Sequence, residues 1–227
     1  MDTARPGHEL GRFWASVTGC SYVEPSTPDD SGDVVGRVEG EVEGMGIALC
    51  RVPEEKTGKH RVHLDVHADS VASLLALGAR RAPGYGGDPW TVLLDPEGGE
   101  FCAFVRDDPP AYRTYELIVD SNDPEAQAGW WAEIFGVQAT NSGKGYWSVA
   151  CVPGMPFESF VFDPVPEPKT VKNRIHWDLY GDVDDLVARG ATRLAELPSS
   201  TVLADPEGNE FCVFPPTGAN LWPTAGT

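Results

Sequence analysis

Apolar and polar residues alternate along Tyr115–Asp120, Ile175–Tyr180 and Glu210–Phe214, the period of a strand with one face buried. Between the first two strands, Pro124 opens a segment that carries Trp130 and Ile134 at helical spacing and closes at Gly136. A second helical segment runs over Val183–Arg189 and stops at Gly190. Short strands are predicted near Val137–Thr140, Tyr146–Cys151 and Ser159–Asp163, then at Thr192–Glu196, Thr201–Ala204 and Glu210–Phe214, with Gly and Pro between them. The order is strand, helix and three strands, written twice.

The N-terminal half repeats this plan. Thr91–Phe104 (TVLLDPEGGEFCAF) matches Thr201–Phe214 (TVLADPEGNEFCVF) at eleven of fourteen positions with an offset of 110. Val52–Thr57 matches Val165–Thr170, and His63-Leu64-Asp65-Val66 matches His176-Trp177-Asp178-Leu179, both at 113. Phe13-Trp14-Ala15 matches Trp130-Trp131-Ala132 at 117. An order-preserving match of this length is a tandem duplication. The expected division is a first domain at 1–106, a stiff polar linker Arg106–Pro110, a second domain at 111–216 and a frayed tail at 217–227. At the offset of 117, Glu116 has no counterpart in the first copy. Its first strand is therefore expected to be missing, with another segment or a second chain covering the open edge, or the natural gene beginning upstream of Met1.

Composition narrows the partners. Thirty-five acidic residues against 17 Lys and Arg give a formal charge of −18, which opposes sequence-independent nucleic-acid binding and docking on anionic membranes. No apolar run is long enough to span a bilayer, and Met1–Leu10 lacks the apolar core of a secretory signal. Cysteines at 20, 50, 102, 151 and 212 form no CxxC pair, so a reduced cytoplasmic chain is expected.

Strand alternation sorts the chemistry onto one face. Val62, Leu64 and Val66 share one face of their strand, and His63, Asp65 and His67 the other. In the second copy His176, Asp178 and Tyr180 oppose Ile175, Trp177 and Leu179. On the last strand of each copy, Glu100, Cys102 and Phe104, or Glu210, Cys212 and Phe214, share a face. Imidazoles and carboxylates are costly on a closed core face and natural in a cavity. The Asp-Pro-Glu-Gly segments at 95–98 and 205–208 read as hairpin turns without catalytic weight.

The FWA helix, the PEPKTVKNRIHWDL run and the TVLADPEGNEFCVF run together resemble the glyoxalase-like branch of the vicinal oxygen chelate superfamily, which includes glyoxalases, extradiol dioxygenases, fosfomycin-resistance enzymes and bleomycin-binding proteins. The resemblance spans nearly the whole chain. It implies an α+β fold of tandem glyoxalase-like domains, each of two βαβββ modules forming a cupped mixed sheet, the two copies packed as an internal pseudo-dimer, with a homodimer also open. It also implies metal ligands on the first and last strands of modules. Carried over, these are Glu116, His176 and Glu210 in the second copy, with Asp163 a candidate fourth. The first copy keeps His63 and Glu100, with Cys50 where the second has Asp163, and so looks degenerate for metal chemistry.

One imidazole with two or three carboxylates suits a divalent Mn, Fe, Ni, Zn or Mg ion. The function implied is a metal-dependent lyase, isomerase or dioxygenase acting on a small organic substrate in the second domain. The competing class is a metal-free small-molecule binding or drug-sequestering protein. In that case His176 and Glu210 form a plain hydrogen-bonded pair across strands, Cys102 and Cys212 are structural, and the tryptophans are core. His60, between Lys59 and Arg61, reads as solvated.

Overall fold

A computed structural model describes residues 1–24, 34–41, 44–86 and 88–216; the expected tail at 217–227 lies outside the described residues. The chain divides into two compact units, Met1–Leu117 and Ile118–Thr227.

Unit 1 runs β1 (Asp2–Thr3), α1 (His8–Thr18), β2 (Ser21–Val23), β3 (Val34–Glu39), β4 (Gly46–Arg51), β5 (Val62–Ala68), α2 (Val71–Ala76), β6 (Arg80–Arg81), β7 (Thr91–Leu94) and β8 (Glu100–Val105). β9 (Thr114–Ser121) carries the chain onward. Unit 2 continues with α3 (Pro124–Phe135), β10 (Ala139–Asn141), β11 (Trp147–Ala150), β12 (Ser159–Pro164), β13 (Trp177–Tyr180), α4 (Val183–Ala188), β14 (Thr192–Glu196), β15 (Thr201–Ala204) and β16 (Glu210–Phe214). Strand order is β1-β4-β3-β2 and β5-β8-β7-β6 in unit 1, and β10-β11-β12-β9 and β13-β16-β15-β14 in unit 2. Each is one βαβββ module, its first strand beside its last.

The registers repeat as well. Asp65 sits opposite Cys102 in the parallel β5–β8 pair, and Asp178 opposite Cys212 in β13–β16. The missing first strand is corrected: Asp2 and Thr3 occupy its position, parallel to β4 opposite Cys50 and Arg51. Its main-chain bonds are real ladder bonds, Cys50 N–H to Met1 at 2.9 Å and Val52 N–H to Thr3 at 3.0 Å. That strand is two residues long where β9 has eight.

The first helix of each unit joins its two modules. Leu10, Phe13, Trp14 and Val17 recur at helical spacing on α1 and are buried. Trp14 meets Phe101 of β8 edge-on at 5.2 Å. In unit 2 Trp131 touches Phe160 of β12, Trp177 of β13 and Phe211 of β16 at 5.1–5.5 Å. The helices end where glycine takes positive φ, Gly19 at 76° and Gly136 at 67°. Pro124 opens α3, and Asp123 caps it by accepting the Ala126 N–H at 3.1 Å.

The Asp-Pro-Glu-Gly turns hold each unit together at two points. Asp95 is buried and accepts the N–H groups of Glu97 and Gly99 at 2.9 and 2.8 Å; Asp205 does the same for Glu207 and Asn209 at 3.0 and 2.8 Å. The glutamates reach back across the unit. Glu97 accepts from the Thr3 hydroxyl and from the Ala4 N–H, between β1 and α1. Glu207 accepts from the Ser121 hydroxyl and from the N–H groups of Asn122 and Asp123 at 2.8–3.0 Å, between β9 and α3.

Candidate functional site

In unit 1, parallel pairing of β5 with β8 brings three donors together on one face. His63 Nε2 lies 3.6 Å from the Cys102 Sγ and 3.5 Å from an Asp65 carboxylate oxygen. One ligand atom from each of the three lies within 4.8 Å of the others. This is the group of three or more His, Cys, Asp and Glu side chains that the described residues place close enough for one ion. Asp65 and Cys102 are buried and the His63 side chain is nearly so.

Burial pushes the His63 imidazole down to about 3; the nearby Lys59 and His60 act in the same direction, and Glu100 only partly opposes them. His63 is thus a neutral ring near neutral pH, the form that ligates metals. Its Nδ1 is buried without a hydrogen-bond partner.

The donor spacing fits a small dication. Bonds of ~2.05 Å to nitrogen or oxygen and ~2.3 Å to sulfur, set tetrahedrally, put N and S ~3.6 Å apart and N and O ~3.3 Å apart. The observed 3.6 and 3.5 Å need little adjustment. An imidazole, carboxylate and thiolate set suits Zn or Fe rather than Mg.

Of the residues singled out from the sequence, His63 belongs to this group and Glu116, Asp163, His176, Glu100 and Glu210 do not. Glu100 takes Lys56 Nζ at 3.0 Å and the His60 N–H at 3.0 Å. Burial raises its carboxyl, but the His60 N–H and Lys56 outweigh this and hold it below the usual range. Glu210 takes Lys169 Nζ at 2.7 Å and the Asn173 N–H at 3.2 Å. Both glutamates therefore tie down the segment that enters the first strand of their own module. His176 donates from Nε2 to the Asn173 carbonyl at 2.8 Å. Glu116 is half-buried on β9, and Asp163 is exposed on β12.

The second-copy counterparts of the group, His176, Asp178 and Cys212, keep its register but not its enclosure: Asp178 is exposed where Asp65 is buried. Among the described residues, the group close enough to share one ion lies in the first copy. Asp65 and Cys102 were visible on the correct faces by alternation; reading cysteine as structural hid them. His60 is also corrected, since it is buried against the Asp95 turn rather than solvated.

Solved structures with the same fold include glyoxalase I from Zea mays, with TM-score 0.64 and 14% identity over 94% of this chain and 89% of that one. A variant of the maize enzyme gives TM-score 0.66 at 14% identity, covering 94% and 89% of the two chains. A dioxygenase candidate from Bacillus subtilis gives TM-score 0.59 at 16% identity, covering 95% and 83%. At these identities the likeness speaks for the fold alone. No curated protein matches the chain. The profile described as Glyoxalase-like domain matches residues 1–104 and again 116–214, one match for each repeat of the βαβββ pair. With nearly its whole length in those two matches, the chain belongs to the glyoxalase-like domain family.

Proposed function

We propose that the protein is a metal-dependent enzyme acting on a small organic substrate, with the ion held by His63, Asp65 and Cys102 of unit 1. The observation that carries this is the 3.5–3.6 Å spacing of a neutral imidazole from a carboxylate and a thiol on one buried face. His63, Asp65 and Cys102 would hold the ion with three protein donors and leave room for substrate, as in reactive rather than structural sites. When bound, an ion there would supply Lewis acidity toward a substrate carbonyl or paired hydroxyls, chemistry that lyase, isomerase and dioxygenase reactions can use. The chain's own contribution is enclosure. Burial of Asp65 and Cys102 excludes bulk water, and the depressed basicity of His63 keeps its ring unprotonated and available through Nε2.

A second reading, metal-free binding of a small molecule, is favoured in unit 2 by His176. Its Nε2 is committed to the Asn173 carbonyl. Among the described residues no helix is long and apolar enough to cross a membrane.

Cobalt(II) titration of the chelator-treated protein tests the main reading. Wild type takes up a single equivalent and shows thiolate-to-cobalt absorption. Cys102→Ser loses that absorption and His63→Ala weakens uptake, while Cys212→Ser and His176→Ala leave both unchanged. No uptake by wild type, or loss through Cys212→Ser instead of Cys102→Ser, overturns the assignment.

A further inference from the structure

The face that carries His63, Asp65 and Cys102 continues one row further along β5 and β8, where His67 pairs with Phe104. Two residues of strand separate the rows, so the second lies ~7 Å from the first. That row is aromatic and cationic. His67 is buried, and its ring stacks on Tyr115 at 4.3 Å. Phe104 meets Tyr115 edge-on at 5.2 Å and lies nearly parallel to Trp90 at 5.7 Å. Trp90 is 36% exposed, so this aromatic surface opens to solvent.

Arg106 completes the row. Its Nε–H donates to His67 Nδ1 at 2.9 Å, and its guanidinium carbon lies 5.4 Å from the Tyr115 ring centroid. An Nδ1 that accepts from a guanidinium belongs to a neutral ring carrying its proton on Nε2, so His67 orients Arg106 without neutralising it. Among the described residues the Arg106 side chain makes these two contacts and no ion pair. That is notable in a chain with 35 acidic residues and 17 Lys and Arg. The guanidinium is held at its Nε and over one ring, which leaves the Nη atoms as a pre-oriented fork of the kind that matches a carboxylate.

The duplication supplies an internal control. At the offsets of the repeat, unit 2 has Tyr180 for His67, Pro216 for Arg106 and Ser200 for Trp90. It keeps the His, Asp and Cys positions of the first row and an aromatic pair in the second, Tyr180 and Phe214 at 6.0 Å, but neither the arginine nor the tryptophan. The guanidinium and the tryptophan thus occur in the unit whose first row is gathered and buried.

We propose that Arg106, with the Trp90–Phe104 surface, is the recognition subsite for a substrate that is an aromatic carboxylate. Its ring lies on Trp90 and Phe104, its carboxylate meets Arg106, and its reacting group points toward His63, Asp65 and Cys102. This rests on the metal reading only for where the reaction occurs; the subsite itself needs no ion.

Calorimetric titration of the full chain with benzoate and with benzamide, its neutral isostere, tests the assignment on chelator-treated and cobalt-loaded protein. Benzoate binds both forms and benzamide binds ~10-fold more weakly, the loss expected of a charge-assisted pair. Arg106→Gln lowers benzoate affinity ~10-fold and leaves benzamide unchanged, with Arg106→Lys between the two. Trp90→Leu weakens both ligands. Arg193→Gln, an exposed arginine of unit 2, changes neither. Equal benzoate affinity in wild type and Arg106→Gln overturns the subsite, as does absence of benzoate binding up to ~10 mM, where a fragment of this size still registers. Benzoate selectivity without cobalt uptake keeps the subsite and removes the metal reading; cobalt uptake without selectivity does the reverse.

Discussion

Asp95 offers a direct test of the turn that closes unit 1. Its carboxyl is pushed up from 3.8 to about 6, chiefly by burial, against the opposing influence of the Gly99 and Glu97 N–H groups and the Trp14 indole. A carboxyl whose folded value lies above its unfolded one favours the folded state while protonated. That contribution is whole below the unfolded value and is lost as pH rises through about 6. The rise from 3.8 to about 6 corresponds to about 3 kcal/mol, of which about 1 kcal/mol is already gone at pH ~4.5 and about 2 more go by pH ~7.5. Asp95→Asn keeps an acceptor for both N–H groups and does not titrate. Asp205, raised to about 6 for the same reason, stays in both proteins and cancels. Urea unfolding followed by tryptophan fluorescence across that pH range should show the stability gap moving about 2 kcal/mol in the variant's favour. A gap that stays flat, or moves toward wild type, refutes the buried-carboxyl account of this turn.

Two further variants probe the repeats against each other. A Cβ at Gly99 would meet the Asp95 carboxylate at 2.6 Å and His60 Cε1 at 2.7 Å, whereas unit 2 has Asn209 there, bonded to Asn173 at 3.0 Å. Gly99→Asn should cost ~1–3 kcal/mol in denaturant unfolding, and adding His60→Asn should recover at least half; simple additivity of the two changes counts against the pairing. Lys169→Met strands the Glu210 carboxylate, whose side chain is 11% exposed, and should cost ~3–5 kcal/mol, mostly regained with Glu210→Gln added. Cobalt uptake should be the same in both variants, and reduced uptake on losing Glu210 would return that residue to the metal.

Much of the fold was legible because the chain states its plan twice. The β14, β15 and β16 boundaries came directly from alternation between turn residues, and the positive-φ glycines marked the ends of the long helices. Alternation also placed His63, Asp65 and Cys102 on shared faces. What it could not supply was the partner of each side chain. Glu100 and Glu210 are on the expected strands, but each is claimed by a lysine 44 or 41 residues upstream. His60 sits between two cations in sequence, and only the glycine at 99 makes room for it in the interior. The choice between the copies turned on burial: Asp65 is enclosed and Asp178 is open, and nothing in the strand pattern distinguishes them.

The reach of Glu97 and Glu207 bears on how each unit is made. The carboxylates that steady the first strand-to-helix turn arrive from 94 and 86 residues further along the chain. During synthesis, α3 can coil as soon as it emerges, but the N–H groups of Asn122 and Asp123 wait for Glu207 until the last hairpin is complete. Contacts of such long range slow folding and make it collective within a unit. A fragment ending before residue 207 would leave those donors to water and loosen the start of its own helix. The two modules of a unit are therefore bound into one folding piece, which is also the piece that the duplication copied.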